Sequence, residues 1–168
     1  MARKPTGGAV HEAVDLIHVY EAFGKTNVVP KALLKKIVAG KESELQEERN
    51  RPISSQPRNF LFELCVAAMF AKKGFSVRVG EEADVTFNFK NHRAFVECKR
   101  VFSESGLERS ITKAAKQLSC RFKSFGSPVN PLGQVPLGIA AFSIEKIVNP
   151  AQSYLKAPSR HAMVEHLD

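Results

Sequence analysis

Apolar and polar residues alternate along the chain with two different periods, and each period predicts one type of element. Apolar residues at helical spacing predict a first helix over 9–23, which ends at Gly24, and a second helix over 31–38. After Pro57 a wide apolar stripe predicts a third helix, which ends at Gly74. The residues of this stripe are Phe60, Leu61, Leu64, Cys65, Ala68 and Met69.

A period of two replaces the helical period after Gly74. Alternation of apolar and polar residues predicts strands over 75–79, 83–89 and 94–101. The intervening residues 90–93 favour a turn, so the last two strands are predicted to form a hairpin.

A further amphipathic helix is predicted after the hairpin. Ser105 and Glu108 have the spacing of a capping box, so we expect Ser105 to be the N-cap of a helix over 107–125. Beyond a loop rich in proline and glycine, the apolar run 137–142 predicts a buried strand, and 144–148 predicts a short helical turn. The apolar stripe of the helix consists of Leu107, Ile111, Ala114, Ala115, Leu118, Phe122 and Phe125.

The order of these elements predicts an α/β fold with a small mixed β-sheet flanked by helices. We expect a helical accessory region over 1–52, a core over 53–150, and a tail or the start of a further helix over 151–168. A chain of 168 residues can bury such a core without disulfides. We expect no signal peptide, because no apolar stretch follows the first basic residues, and no apolar run is long enough to cross a membrane. Its three cysteines form no Cys-x-x-Cys pair, which favours a reducing, cytoplasmic environment.

The charge of the chain favours a polyanionic partner. Its formal net charge is +8, and the segment from Lys90 to Gly126 holds nine basic residues against three acidic ones. A local excess of this kind is typical of nucleic-acid-binding surfaces. Two alternatives are a solvated basic surface and an interaction domain that binds an acidic protein.

Three charged residues of the predicted hairpin are expected to lie together. Asp84 stands at the start of one strand and Glu97 near the end of its antiparallel neighbour, while Lys99 lies on the same face as Glu97. Because unpaired carboxylates are costly to bury, a divalent metal such as magnesium would be their simplest partner. The alternative is an ordinary cross-strand ion-pair network on an exposed sheet face.

Asp84 and the tripeptide Glu97-Cys98-Lys99 resemble the Asp…Glu-x-Lys signature of the restriction-endonuclease-like, or PD-(D/E)XK, nuclease superfamily. The order of the elements is similar too. Members have a helix bearing a glutamate, a core hairpin with the acidic pair, a helix bearing a glutamine, and then a buried strand. Glu63 and Gln117 stand at the matching places, and the resemblance covers about residues 57–148.

The chain departs from the family pattern at two positions. Ala83 stands where the motif has its name-giving proline, and Arg121 stands where part of the family has a tyrosine. Neither position belongs to the Asp84, Glu97 and Lys99 set.

The resemblance implies a metal-dependent nuclease that hydrolyses DNA phosphodiester bonds. Asp84 and Glu97 would bind Mg²⁺, with Mn²⁺ as a substitute, together with the backbone carbonyl of Cys98. Glu63 would support a second metal or hydrogen-bond a metal water. Lys99 would position or deprotonate the attacking water and help to neutralise the transition state.

The resemblance also implies roles on the surrounding surface. Gln117 would orient the site, and many such nucleases form homodimers, which is a further expectation here. The residues expected to contact nucleic acid are Arg100, Lys113, Lys116 and Arg121.

Other interpretations stay open at the level of the sequence. The same fold could serve as a nucleic-acid-binding module that does not cleave, or as a nuclease that acts on RNA. Glu63 and Gln117 could belong to solvent-exposed helix faces. Arg100, Lys113 and Lys116 could belong to a general basic surface.

Overall fold

The computed structural model describes residues 7–24, 35, 37, 56–125 and 133–148. Its elements are α1 (Gly7–Phe23), α2 (Gln56–Lys72), β1 (Val77–Val79), β2 (Val85–Phe89), β3 (His92–Arg100), α3 (Glu104–Phe125), β4 (Val135–Ser143) and α4 (Glu145–Val148). The predicted α/β class is confirmed. Of the predicted helix over 31–38 only Lys35 and Ile37 are described, both helical, and the tail over 151–168 lies outside the described residues.

The four strands form one mixed sheet in the order β1-β2-β3-β4. β1 pairs with β2 and β2 with β3 in antiparallel fashion, while β3 and β4 are parallel. The predicted hairpin is therefore confirmed, and Phe89 pairs with His92 across a two-residue turn. The parallel pair needs a crossover connection, and α3 is part of that connection.

Helices cover the two faces of this sheet. Ala94, Val96 and Cys98 of β3 belong to a buried cluster with residues of α1 and α2. Phe95 points to the opposite face, where its ring contacts that of Phe125 at 5.3 Å between centroids. Glu97 and Lys99 share the face of Phe95, so the charged residues of β3 lie on the α3 side of the sheet.

The end of α2 shows why the next strand begins where it does. Gly74 has a φ of 88°, and its N–H donates to the carbonyl of Ala71, while the N–H of Phe75 donates to that of Phe70. These two bonds form a Schellman motif, which glycine favours because its backbone enters the left-handed region without strain. The rings of Phe70 and Phe75 pack 6.2 Å apart. The chain thus turns at Gly74, and β1 starts at Val77 rather than at position 75.

α3 lies unusually close to the sheet at one point. A Cβ atom built on Gly138 of β4 would lie 2.8 Å from Cζ of Phe122 and 3.2 Å from Cδ1 of Leu118. A side chain there would require the ring of Phe122 to move, so Gly138 lets the second half of α3 pack directly against β4.

Several local predictions were wrong. α3 begins at Glu104, and the Oγ of Ser103, not that of Ser105, accepts the N–H of Gly106 at 3.2 Å, so Ser103 is the N-cap. β4 is not buried as predicted, because it lies at an edge of the described sheet and alternates between exposed and half-buried residues. Met69 and Ile111, both assigned to apolar stripes, are 69% and 49% exposed.

Within the described ranges, no helix is both long and apolar enough to span a lipid bilayer.

The helix α1 contributes Val19 and Phe23 to the same buried cluster as α2 and the sheet.

Candidate active site

The hairpin holds Asp84 at one end of the sheet. Val85, the first residue of β2, pairs with Val96 of β3, which brings Asp84 beside the last part of β3. The backbone N–H of Cys98 donates a hydrogen bond of 2.7 Å to Oδ2 of Asp84. This bond fixes the carboxylate against the strand that carries Glu97 and Lys99.

Glu97 is the most deeply buried charged residue among the described ones. Its side chain is 1% exposed, and its Oε2 accepts a hydrogen bond of 3.2 Å from Nζ of Lys99. The other oxygen, Oε1, is buried and has no hydrogen-bond partner. The nearest cation to it is the guanidinium of Arg121, with Nε at 3.7 Å. The cross-strand ion pairs of the alternative interpretation are therefore present, but Glu97 is buried, so they do not lie on an exposed sheet face.

Three oxygen atoms surround the ammonium group of Lys99. Nζ lies 3.2 Å from Oε2 of Glu97, 3.0 Å from the backbone carbonyl of Cys98 and 3.6 Å from Oδ2 of Asp84. These are the same three groups that the family resemblance implies as ligands of a metal ion. They converge on one cation position at the end of the hairpin, and Lys99 fills the role of that cation here.

Glu63 on α2 is a third carboxylate, close enough to Asp84 and Glu97 to interact with them electrostatically. Burial, together with the charges of Asp84 and Glu97 and against the opposing effect of Lys99, raises its pKa from 4.5 to about 7. Glu63 is half-buried and lines the same cleft as Asp84, so it does not lie on a solvent-exposed helix face.

The site opens into a cleft of about 370 Å³ between α2, α3 and the end of the hairpin. Its polar wall from α3 consists of Arg109, Ser110, Lys113 and Gln117. The other lining residues are Asn59, Phe62, Glu63, Asp84, Cys98, Lys99 and Arg100. Carboxylates and cations thus meet in one cleft, with two cations on β3 and two on α3.

The predicted nucleic-acid-binding residues are divided between the cleft and its surroundings. Arg100 and Lys113 line the cleft, whereas Lys116 is exposed on α3 and does not line it. Arg121 approaches Glu97 instead. Gln117 lines the cleft, and its Oε1 is buried without a partner, so it is not a surface glutamine.

Two residues of the cleft were missed at the level of the sequence although a signal existed. Asn59 stands four residues before Glu63, and Arg109 four residues before Lys113. Helical spacing puts each pair on one face of its helix. The amide oxygen of Asn59 is buried without a hydrogen-bond partner, as is that of Gln117 on the other wall.

The donor set fits magnesium better than a softer metal. In the described part of the chain, no three side chains among His, Cys, Asp and Glu are arranged to hold a metal ion. Two carboxylates and a carbonyl remain, and Mg²⁺ is commonly held by one or two carboxylates with water in its other positions. The unpaired Oε1 of Glu97 leaves further acceptor capacity. Direct ligation by Glu63 stays a prediction.

Cys98 contributes its backbone rather than its thiol. Burial, followed by the negative charges of Asp84 and Glu63, holds the pKa of the thiol far above its usual range. A thiol held protonated in this way is a poor nucleophile at neutral pH. The side chain of Cys98 belongs to the buried cluster between the sheet and α2.

Comparisons with models of known protein families, with curated proteins and with solved structures give no match.

Proposed function

We propose that the chain is a magnesium-dependent nuclease that hydrolyses DNA phosphodiester bonds and has a restriction-endonuclease-like core. The order of the elements supports this proposal: a helix with Glu63, an antiparallel hairpin with Asp84 and Glu97, a helix with Gln117, and a parallel strand. That is the order expected from the sequence resemblance.

One observation carries the proposal. Three oxygens, from Asp84, Glu97 and the carbonyl of Cys98, converge on a single cation position that opens into a cleft lined by Arg109 and Lys113. A purely structural ion pair needs neither the carbonyl nor the cleft. A site for phosphodiester hydrolysis needs both a place for a hard cation and positive charge for the phosphate.

Asp84, Glu97 and the carbonyl of Cys98 would hold the magnesium ion. The bound ion supplies positive charge to the phosphate and makes water a better nucleophile. Lys99 then gives up part of its present contacts, because the same oxygens serve the ion. Its ammonium group orients the attacking water and donates to the charged oxygens of the phosphate.

The reaction itself is a hydrolysis. The oxygen of water bonds to phosphorus while the bond from phosphorus to one sugar oxygen breaks, and that oxygen leaves with a proton. Arg109 and Lys113 hold the non-reacting oxygens of the phosphate in the cleft. Gln117 fixes the position of the substrate through its amide. The carboxylate of Glu63 adds negative charge near the metal position, which favours binding of the cation.

The test is a cleavage assay on purified protein. Linear duplex DNA, circular single-stranded DNA, supercoiled DNA and RNA are each incubated with Mg²⁺, with Mn²⁺ and with chelator. We expect DNA to be cleaved only when a divalent ion is present. Lys99→Ala should abolish cleavage, while the matched variant Lys73→Ala, which removes an exposed lysine outside the cleft, should cleave like the wild type.

Each other outcome has a defined meaning. Cleavage that survives Lys99→Ala contradicts the assignment of the site. Binding of DNA without cleavage of any substrate contradicts the enzyme and leaves a binding module of the same fold. Cleavage of RNA alone retains the site and replaces DNA with RNA as the substrate.

A further inference from the structure

A second cleft of about 340 Å³ lies beside the first. It is enclosed by α1, α2 and the ends of β3 and β4, and the start of α4 closes its edge. Its lining consists of Asp15, Arg58, Leu61, Phe62, Cys65, Arg100, Ser143 and Glu145. None of these residues except Arg100 was expected to take part in function.

The two clefts share a wall. Phe62 of α2 and Arg100 at the end of β3 line both of them. A ligand that extends from the first cleft into the second would therefore pass these two side chains. A phenyl ring and a guanidinium group are the side chains on which nucleobases stack most often.

The two clefts differ in charge. The first is lined by four cations, Lys99, Arg100, Arg109 and Lys113, and by two carboxylates. In the second, Arg58 and Arg100 are balanced by Asp15 and Glu145. When a metal ion binds in the first cleft, the excess of positive charge there increases further. A phosphate is therefore favoured in the first cleft, and a neutral group is favoured in the second.

The walls of the second cleft are suited to a flat ring with a polar edge. Leu61, Phe62 and Cys65 provide an apolar side, and burial raises the pKa of the Cys65 thiol to about 12, which keeps it neutral. Ser143 and Glu145 provide hydrogen-bonding groups on the other side. Nucleobases that leave the stack are recognised by an apolar or aromatic side and by hydrogen bonds to their edge.

We infer that the second cleft binds the base of a nucleotide adjacent to the scissile phosphate, with Phe62 and Arg100 at the boundary between phosphate and base. This inference rests on the proposed function and gives it a substrate class. A base inside a cleft of this size cannot remain paired, because its complement would have no room. The preferred substrate is therefore single-stranded DNA, or DNA whose strands are already separated at the site of cleavage.

The energetics favour an unpaired strand for the same reason. Taking a base out of a duplex costs a few kcal/mol, whereas an unpaired strand avoids most of that cost. The stacking of one base on an aromatic side chain is worth about tenfold in affinity or more. Single-stranded DNA should thus bind more tightly than a duplex of the same sequence at the same ionic strength.

The test compares three labelled probes by fluorescence anisotropy, with chelator present to prevent cleavage. They are a short thymidine oligonucleotide, an abasic strand of the same length and charge, and a duplex of that length. For the wild-type protein we expect the thymidine strand to bind about tenfold more tightly than the abasic strand. The duplex should bind no better than the abasic strand.

Variants then locate the effect. Ser143→Trp fills the second cleft and should reduce the affinity for the thymidine strand to that for the abasic strand, which itself stays within about twofold. Ser119→Trp places the same side chain on an exposed position of α3 outside both clefts and should change neither affinity. Glu145→Ala is a milder variant that should weaken thymidine binding alone, and thermal melting establishes that each variant is folded.

The outcomes separate this inference from the proposed function. Equal binding of thymidine and abasic strands by the wild type overturns the inference, as does a Ser143→Trp variant that weakens both strands alike. If DNA is nevertheless cleaved in the presence of Mg²⁺, the nuclease proposal survives. Base-dependent binding that Ser143→Trp removes supports the cleft even where no cleavage occurs. Failure to bind any probe overturns the inference, while the proposed function is overturned only if no nucleic acid is cleaved in the presence of Mg²⁺ or Mn²⁺.

Discussion

Two buried charged side chains, Arg93 and Glu97, lie four residues apart on the same face of β3. They differ in how far their hydrogen-bonding groups are satisfied. The guanidinium of Arg93 donates hydrogen bonds to Asn88 at 3.1 Å, Glu82 at 3.0 Å and Thr86 at 3.4 Å. Glu97 accepts one hydrogen bond, from Lys99, and its other buried oxygen has no hydrogen-bond partner, with Arg121 at ion-pair distance.

This difference suggests different roles: we expect Arg93 to stabilise the fold and Glu97 to bind an ion or a ligand. Arg93 is matched by neighbours that the hairpin itself supplies, and such fully bonded buried charges hold a fold together. An incompletely matched buried carboxylate lowers stability, and such groups are concentrated where a ligand or ion completes the match. We therefore expect changes at Glu97 to affect activity and changes at Arg93 to affect stability.

The largest expected effect is the loss of cleavage in Glu97→Gln. The amide keeps the size of the side chain but removes the charge that attracts the metal ion, so cleavage should fall by about 10³-fold. Stability should change by less than about 1 kcal/mol, because Lys99 retains Asp84 and the carbonyl of Cys98. Rates are measured with saturating Mg²⁺, with Glu108→Gln as the control on an exposed glutamate. A rate near that of the wild type would contradict the metal assignment.

Magnesium should stabilise the wild-type protein. An ion that binds only the folded state contributes about 2.7 kcal/mol at a concentration a hundred times its dissociation constant. Thermal melting with increasing MgCl₂, at constant ionic strength, measures this gain. Glu97→Gln should lose most of it, whereas Arg93→Ala should retain it. Equal stabilisation of both variants would mean that the ion binds elsewhere.

Arg93→Ala should have the opposite effect to Glu97→Gln: it should lower stability and leave cleavage nearly unchanged. Arg93→Ala leaves the carboxamide of Asn88 and the hydroxyl of Thr86 without their donor, so the free energy of unfolding should fall by about 2 kcal/mol. Urea denaturation measures the loss, and Arg78→Ala provides the matched control, since its exposed pair with Glu81 contributes less than about 1 kcal/mol. Cleavage by the folded fraction of Arg93→Ala should stay within about twofold; a much larger loss would mean that the division of roles fails.

The smallest expected effect concerns the pH dependence of stability at Glu63. Because its folded pKa is raised from 4.5 to about 7, the folded protein holds this proton more tightly than the unfolded chain does. The resulting stability is complete below pH 4.5 and is lost as the pH rises through 7. Glu63→Gln, which cannot ionise, should therefore be more stable than the wild type by about 1 kcal/mol at pH 8 and nearly equal at pH 5. Denaturation at both values in chelator measures this, and a pH-independent difference would contradict the raised pKa.

The hairpin and its charged end were predictable because local signals agree there. Alternation fixes the strands, the turn fixes the register, and the register brings Asp84 beside Glu97 and Lys99. The approach of Arg121 to Glu97 was not predictable, because it depends on how α3 packs across the sheet. The exposure of β4 was missed for a similar reason, since the position of a strand within a sheet is not encoded in its own alternation.

The network around Arg93 also escaped prediction. Its partners Glu82 and Thr86 lie 11 and 7 residues away, and no motif links them. The second cleft combines residues of five elements, among them Asp15 and Glu145 at opposite ends of the described chain. Such sites arise from tertiary packing alone.

Because Gly138 has no side chain, the helix that forms one wall of the cleft packs directly against β4. α3 carries Arg109, Lys113 and Gln117 as one wall of the cleft beside Lys99, and the same helix lies against Gly138 through Phe122 and Leu118. A Cβ atom at position 138 would require the ring of Phe122 to move, and a displaced ring would press on the second half of the helix that carries this wall. The packing on β4, behind the helix, therefore bears on the position of the cleft wall in front of it.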